Sequence, residues 1–208
     1  GLILFFPFAW MLATGLMTTT QTLLVPPNVI PSPPTLEGTE EVFKRIPFFT
    51  LLLNTVIVSV SRSFITIVVC SMAAYALAVI KVPGTGVIMV LILALLMVPG
   101  DVFVIPNFAI IASLGLTDTL TALVLPSVFD VFGVFLLYQF FRGVPRELIE
   151  AARMDGASHP RILATIVVPV ARSGVLSLAI LAVLFEWKDL LWPIVVNRSA
   201  DKLTLGPG

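Results

Sequence analysis

Two groups of residues have the types and spacing to do more than pack. One is the run Arg142-Gly143-Val144-Pro145-Arg146-Glu147-Leu148-Ile149-Glu150-Ala151-Ala152-Arg153-Met154-Asp155-Gly156, in which acids, bases, two alanines and a closing glycine stand at helical spacing. The other is a set of ionisable side chains lodged in apolar runs: Arg62, Asp130, Glu186, Lys188 and Asp189. A charge in hydrocarbon costs roughly 2.5–3.5 kcal/mol on insertion scales, so each of these needs a partner, a water-filled cavity or a pathway. Covalent chemistry has no comparable footing. With one cysteine, Cys70, and one histidine, His159, an intrachain disulfide and the usual zinc sets are ruled out. No nucleophile, base and third group stand together at a defensible spacing. The G-x-x-x-x-G-K-[ST] phosphate loop is also missing, so nucleotide hydrolysis is not expected of this chain. Neither an enzyme nor a resident cofactor or metal is expected.

The elements that must hold these residues follow from composition. The 208 residues are 58% hydrophobic and 12% charged, against roughly 25% charged in soluble proteins, and the mean hydropathy is +1.09. The 12 Lys and Arg balance the 12 Asp and Glu, leaving no basic field for nucleic acid. A bilayer core of about 30 Å calls for about 20 apolar residues per helix. Gly1–Met17, Phe48–Ile80, Val87–Ala112, Leu120–Phe141 and Val170–Val196 meet that description. The opening GLILFFPFAW has no basic n-region and no cleavage site, so it does not read as a signal peptide. It reads as a helix missing its start, and the polar ending RSADKLTLGPG as an open end; a fragment of a longer chain is expected.

Pro26, Pro27, Pro31, Pro33, Pro34 and Pro47 bar helix between the first two runs and favour an extended loop. Lys81-Val82-Pro83-Gly84-Thr85-Gly86 is a second break. By the positive-inside rule, Arg142, Arg146, Arg153, Arg161 and Arg172 place the polar interval before Pro169 in the cytoplasm. Counting outward from it puts Lys81 inside, and Lys44, Arg45, Arg198 and Lys202 outside. The run Phe48–Ile80 is 33 residues, about 50 Å of helix, which exceeds a simple span. The part up to Arg62 is expected at the outer interface, with Arg62 snorkelling. Pro99-Gly100-Asp101 breaks the third run, and Val102 to Leu114 is expected as a short interfacial helix that brings Asp101 near water.

The polar interval reads as a helix-turn-helix. Pro145 suits a helix start, Glu147 and Glu150 lie toward its positive end, and Gly156 suits a left-handed stop. Ser158 or His159 is expected to cap a second helix that tolerates Pro160 and gives way near Pro169. Ala151 and Ala152 leave room for a close approach, while Leu148, Ile149, Met154, Ile162 and Leu163 offer apolar contact points.

Here the residues become recognisable. Glu150-Ala151-Ala152, three residues, Gly156, nine residues, Ile166, one residue, Val168 and Pro169 resembles the EAA loop of bacterial ABC importer permeases. Only Val168, where Leu is usual, departs from that form. The likeness runs along most of the chain, to the maltose-type branch of carbohydrate permeases. Pro26-Pro27 through Pro33-Pro34-Thr35-Leu36 looks like its outer loop, and Asn54-Thr55 with Ala73-Ala74-Tyr75-Ala76-Leu77-Ala78 like its second-helix signature. Pro106, Leu114-Gly115-Leu116 and Thr119 fit the segment before the fourth helix. Glu186-Trp187-Lys188-Asp189-Leu190-Leu191-Trp192-Pro193 resembles its WN-type motif, with Lys188 where Asn is usual.

The resemblance implies an all-α polytopic transmembrane bundle, the type I ABC importer permease fold, with five spans of an expected six. Residues 1–208 would be a single permease domain with an extracytoplasmic proline-rich loop at 18–47 and a cytoplasmic coupling loop at 142–169. It would sit as a multi-pass protein in the bacterial inner membrane. Its expected partners are a second related permease in a heterodimer, two ATPase subunits, an extracytoplasmic solute-binding protein, membrane lipid and a sugar-like solute, with no nucleic acid. Glu150, Ala151, Ala152, Asp155, Gly156, Ala157 and Pro169 would form the ATPase-coupling surface, Glu150 making the polar contact.

For the apolar runs two readings stand. Asp130 either pairs with Arg62 to fix helix register, or lies on a translocation path where it accepts hydrogen bonds from solute hydroxyls. Arg62, Glu186, Trp187, Asp189 and Tyr138 are the other path candidates. Glu186, Lys188 and Asp189, within one turn, are expected to balance one another. Phe185, Trp187, Trp192, Tyr75 and Tyr138 suit sugar faces, yet singly each reads first as packing or an interface anchor. The rival to an ATP-driven importer for a sugar, oligosaccharide or glycerol phosphate is an ion-gradient carrier using Asp130 and Glu186 as a relay. A membrane scaffold without transport would require that no cavity form between the helices.

Overall fold

The computed structural model describes residues 2–23 and 30–207, and Pro26 and Pro27 of the proline-rich stretch lie outside them. Among the described residues every regular element is helical. Two compact units are present, residues 1–50 and residues 51–207.

The first unit holds three helices: α1, Leu2–Gly15; α2, Thr19–Thr22; and α3, Glu37–Arg45. Around the threonine-rich stretch, the Thr18 side chain accepts from the Gln21 amide while the Gln21 side chain accepts from the Thr18 amide, so two orphan donors are satisfied reciprocally. Residues 30–36, before α3, have no regular structure and are tied back by the Thr35 amide to the Leu16 carbonyl at 2.9 Å. Helix α3 interrupts the expected extended loop. It carries Glu40–Lys44 and Glu41–Arg45 pairs at one-turn spacing, a pattern that supports a helix with no buried face.

Helix α4 is Phe48–Tyr75, continued by a wider π turn at Ala76–Ile80. It runs unbroken through Arg62. Its inward face is small and hydroxylic: Thr55, Ser59, Ser63, Thr66, Cys70 and Ala74 are buried, a spacing of one helical stripe that lets neighbouring backbones approach closely. Lys81 at φ +58° and Gly84 at φ +82° turn the chain into α5, Thr85–Leu96.

The remaining apolar runs are bent. A 3-10 turn at Gly100–Phe103 leads to α6, Val104–Ser113, and this piece lies at 95° to α5. Pro99 and Gly100 supply the break, as the sequence predicts, and Asp101 is exposed. The fourth run splits into α7, Leu120–Val124, with a 3-10 turn at Leu125–Ser127, and α8, Val131–Arg142, bent by 50°. That division was not expected. Side chains of α4 meet the backbone at this break: Thr66 Oγ1 donates to the Ser127 carbonyl at 3.0 Å, and Cys70 Sγ donates at 3.3 Å to the Asp130 carbonyl, which also accepts the Val134 amide.

Helices α9, Arg146–Met154, α10, His159–Ile162, and α11, Val168–Val170, with a π turn at Leu163–Val167 between the last two, form the polar interval. Then α12, Arg172–Lys188, leaves at 85° to the α10–α11 rod, and α13, Leu191–Val196, follows a break at Asp189-Leu190. One helix is long and apolar enough to cross a membrane, or up to four if each bent pair counts as one span, among the described residues.

Helix α8 is the hub of the second unit. It packs on α5, on α12 and on the π turn after α4, and its Val134, Leu137 and Phe141 share a buried cluster with Cys70, Ile92 and Leu178. Two glycines set these distances. A Cβ on Gly133 would come to 3.0 Å from both Cys70 Sγ and Leu178 Cδ1, and one on Gly174 would come to 2.4 Å from Phe140 Cγ. Gly174→Ala is therefore expected to destabilise the assembled protein by about 1–3 kcal/mol through overpacking, read as a lowered thermal midpoint in detergent. Alanine at Gly86, whose added Cβ meets nothing within 4 Å, is expected to leave that midpoint in place.

Candidate functional site

The coupling candidates sit on a hairpin whose turn explains their spacing. Helix α9 starts at Pro145, whose missing N–H is no loss there. At its other end Gly156 takes φ +76°, the Gly156 amide donates to the Arg153 carbonyl at 3.0 Å, and the Ala157 amide to the Ala152 carbonyl at 2.9 Å. This pair of bonds is the Schellman closure, which favours glycine at its left-handed position and an apolar contact across it. Ala152 and Ala157, on either side of the turn, are both packed against the buried cluster. Glu150, Ala151, Asp155 and Pro169 are exposed, and the Glu150 carboxylate has no hydrogen bond or ion pair among the described residues.

The apolar residues of the hairpin divide differently from the sequence expectation. Ile149 and Ile162 are 7% and 1% exposed and face the bundle, whereas Leu148 and Met154 are 45% and 88% exposed. Only the last two are free as contact points, because burying α9 on the bundle uses the other face of its amphipathic pattern. Ser158 occupies the cap position of α10 but makes no side-chain capping bond, and His159 does not cap either. Instead His159 Nδ1 lies 3.0 Å from Tyr75 Oη, and its Nε2 lies 3.4 Å from an Arg153 Nη. Since arginine only donates, the Nε2 accepts and the Nδ1 N–H donates to Tyr75. The hairpin is thereby fastened to the end of α4, a link that no local sequence signal announces.

Behind α9 lies a cavity of about 600 Å³ lined by Lys81, Arg142, Arg146 and Arg153 with Tyr138 and Glu150. Tyr138, a path candidate from the sequence, belongs to this cavity, where the Arg142 guanidinium stands 5.6 Å from its ring centroid.

The charged residues of the membrane runs pair differently from the expected Arg62–Asp130 contact. Arg62 pairs with Glu186, not with Asp130, and its Nη1 also lies 3.8 Å from Asp189 Oδ2. The side chain of Glu186 is 2% exposed and that of Arg62 is 19% exposed, so the pair is buried between its helices. Glu186 and Asp189 are balanced by Arg62 from another helix rather than by Lys188, which is exposed. The reason is geometric: α12 turns Glu186 inward toward α4, while Lys188 points away at the helix end. Asp189 has a second task, its Oδ1 accepting the Trp192 amide at 3.2 Å at the start of α13.

Asp130 is the N-cap of α8, its Oδ1 accepting the Phe132 amide at 2.9 Å. An aspartate just before an apolar helical run was the signal for this role. It also lines, with Arg62, Thr66, Asn107, Ser127 and Phe185, a cavity of about 420 Å³. Arg62 and Asp130 are thus brought to one cavity without touching. Trp187 is 47% exposed and borders neither of the two cavities.

Outside the membrane runs a lock closes the far end of this unit. Asp118, at φ +61°, accepts the amides of Arg198 and Ser199 at 3.0 and 2.9 Å and the Ser199 hydroxyl at 2.5 Å. The Ser199 bonds and then the Arg198 amide hold its carboxyl below the ordinary range. Asn54 Nδ2 donates to the Asp201 and Leu203 carbonyls, and the Leu205 amide donates to Thr55 Oγ1. Asn54-Thr55, prominent in the sequence, are therefore anchors for the segment after α13.

Residues 67–205 match the family described as "binding-protein-dependent transport system inner membrane component". The chain belongs to this family. It is accordingly an ABC importer permease, a transport subunit and not an enzyme, built on the expected all-helical permease fold. Among its relatives, the arabinooligosaccharides transport system permease protein AraQ of Halalkalibacterium halodurans is 34% identical over 197 residues, 94% of this chain and 69% of that protein. The sn-glycerol-3-phosphate transport system permease protein UgpE of Yersinia enterocolitica is 30% identical over 213 residues, all of this chain and 76% of that protein. The fold of this permease superposes on a crystal structure of a bacterial ABC transporter involved in import of the acidic polysaccharide alginate. That likeness has a TM-score of 0.84 and 22% identity, and covers 98% of this chain and 72% of that one. The ion-gradient reading gains nothing from these likenesses.

Two measurements test the geometry. Removing one partner of a buried pair leaves an uncompensated charge, so Arg62→Leu is expected to cost about 3–5 kcal/mol, and Arg62→Leu with Glu186→Leu to recover most of it, read from thermal unfolding of purified protein. Asp118 has a depressed pKa, so its contribution is complete above the ordinary carboxylate value of about 3.9 and is lost as pH falls through its lower folded value. Amide exchange at Arg198 and Ser199, corrected for intrinsic rates, should lose protection only below about pH 4, and in Asp118→Ala should be unprotected at every pH.

Proposed function

We propose that this permease forms part of a translocation path for a carbohydrate or related polyol and takes its drive from a separate ATPase through the α9–α10 hairpin. The observation that carries the reading is the Schellman-closed turn, which leaves Glu150, Ala151 and Asp155 exposed and without side-chain bonds among the described residues while Ala152 and Ala157 brace the hairpin on the bundle. A rigid surface element with a free carboxylate, stapled by His159 to Tyr75, is mechanically suited to receive a stroke and pass it to α4. The relatives' named solutes, arabinooligosaccharides and sn-glycerol 3-phosphate, share a polyhydroxylated carbon skeleton, which supports that solute class here.

In this reading residues 1–208 are one permease domain, with 18–47 outside and 142–169 inside the bacterial cytoplasmic membrane, crossed several times. The working complex contains a second related permease, with a heterodimer favoured, two ATPase subunits and an extracytoplasmic solute-binding protein. Glu150 and Gly156 make and shape the ATPase contact, with Ala151, Ala152, Asp155, Ala157 and Pro169 completing it. Arg62, Asp130, Glu186 and Asp189 serve the path. Trp187, which borders neither cavity, and Tyr138, in the hairpin cavity, are weaker path members.

Glu150→Ala is expected to leave the amount of assembled complex unchanged and to lower ATP-dependent uptake at least tenfold. Solute-stimulated ATP hydrolysis in the same complex should fall with it; hydrolysis at the unaltered rate would remove Glu150 from the coupling role.

A further inference from the structure

We infer that the cavity of this chain between α4, α6 and α8 selects an uncharged solute and disfavours anions, an inference that rests on the permease reading above. The relatives leave the matter open, since one is named for a neutral oligosaccharide and another for a phosphate ester. The cavity holds one cation among its lining residues, Arg62. That guanidinium is already engaged by Glu186 and has Asp189 at 3.8 Å, so a solute arriving in the cavity meets a charge that is spent. Asp130 lines the same wall without any cationic partner. One guanidinium is thus set against three carboxylates, Asp130 on the cavity wall itself and Glu186 and Asp189 behind Arg62.

Depth strengthens the effect. Arg62 lies fourteen residues into the span that begins at Phe48, roughly 21 Å along the helix at 1.5 Å per residue, where screening by solvent is weakest. A phosphate or uronate entering there would be repelled by Asp130 and could be held only by pulling Arg62 off its carboxylates; placing an unpaired like charge against the wrong ligand is how a site rejects it. What remains for binding suits hydroxyl groups. The Asn107 side chain has no hydrogen bond among the described residues, Asp130 Oδ2 accepts none, and Phe103, Phe129, Phe132 and Phe185 give the cavity apolar ring walls. An aliphatic C–H face against rings with hydroxyls on a carboxamide and a carboxylate oxygen is the chemistry of a neutral sugar or polyol.

The charge of the cavity can be measured without knowing the solute. In the intact transporter, Asn107→Cys and, separately, Ser127→Cys are each treated with a cationic methanethiosulfonate (the ethyltrimethylammonium reagent) and an anionic one (the ethylsulfonate), Cys70 being fully buried and silent. At one or both positions the cationic reagent should react at least tenfold faster than the anionic one, after correction for their rates with a free thiol. Glu186→Gln with Asp189→Asn in the same background should bring that ratio down at least threefold, by releasing Arg62. A ratio at or below that of the free thiol, or no reaction at either position, overturns the inference. So does uptake of sn-glycerol 3-phosphate that depends on this chain, a result that would leave the ATP-coupled permease reading in place; loss of ATP dependence would instead overturn that reading while leaving the reagent ratio as measured.

Discussion

A guanidinium at the depth of Arg62 cannot remain alone in a hydrocarbon surround, and its pairing with Glu186 is the contact on which much of this structure turns. Arg62 stands on the one unbroken span among the described residues and Glu186 near the end of α12. Satisfying both charges brings those elements together at one level and one rotation, because neither residue has another partner of opposite sign within reach except the nearby Asp189. Asp189 in turn caps the start of α13, whose Trp192 donates to the Ala122 carbonyl at 3.0 Å. One ion pair thus sets the position of a chain of backbone bonds that reaches α7. Whether such a pair adds net stability is a separate matter, since desolvation offsets much of the attraction; its clearer effect is on register.

The broken helices follow the same rule in neutral form. A bend frees backbone donors and acceptors that the bilayer cannot satisfy, and at the α7–α8 break short polar side chains meet them. Thr66 and Cys70 serve the carbonyls at the α7–α8 break and Asp130 serves the amide on its other side. The hydroxyl stripe of α4 is therefore more than a device for close packing. It is the surface on which a bent neighbour becomes affordable, and the cavity bounded by Arg62 and Asp130 opens beside that bend.

The hairpin shows how an exposed motif can be specified by its hidden side. Ala152 and Ala157 brace the turn, Gly156 permits it, and His159 with Tyr75 fastens it to α4. The outward residues are then left without internal obligations. A surface with satisfied backbone and unengaged side chains is suited to being bound by another protein, and the chain's family, a component of a multi-part transport system, is consistent with that arrangement.

Much of this was legible in order along the chain. Apolar length announced the helical runs, Pro99-Gly100 announced the sharpest bend, and the Glu150-Ala151-Ala152 to Gly156 spacing announced a helix with a left-handed stop, because these features depend on local geometry and on solvent alone. Partnership was not legible. Arg62 could have met Asp130 or lain at the interface, and Lys188 could have balanced its neighbours, for sequence gives the sign of a charge but not the direction in which a helix turns it. Folding aimed Glu186 at α4, set Asp130 to capping α8, put Tyr138 in the hairpin cavity and drew Asp118 to Ser199. Those assignments join residues far apart along the chain, and only the packed bundle brings them within reach of one another.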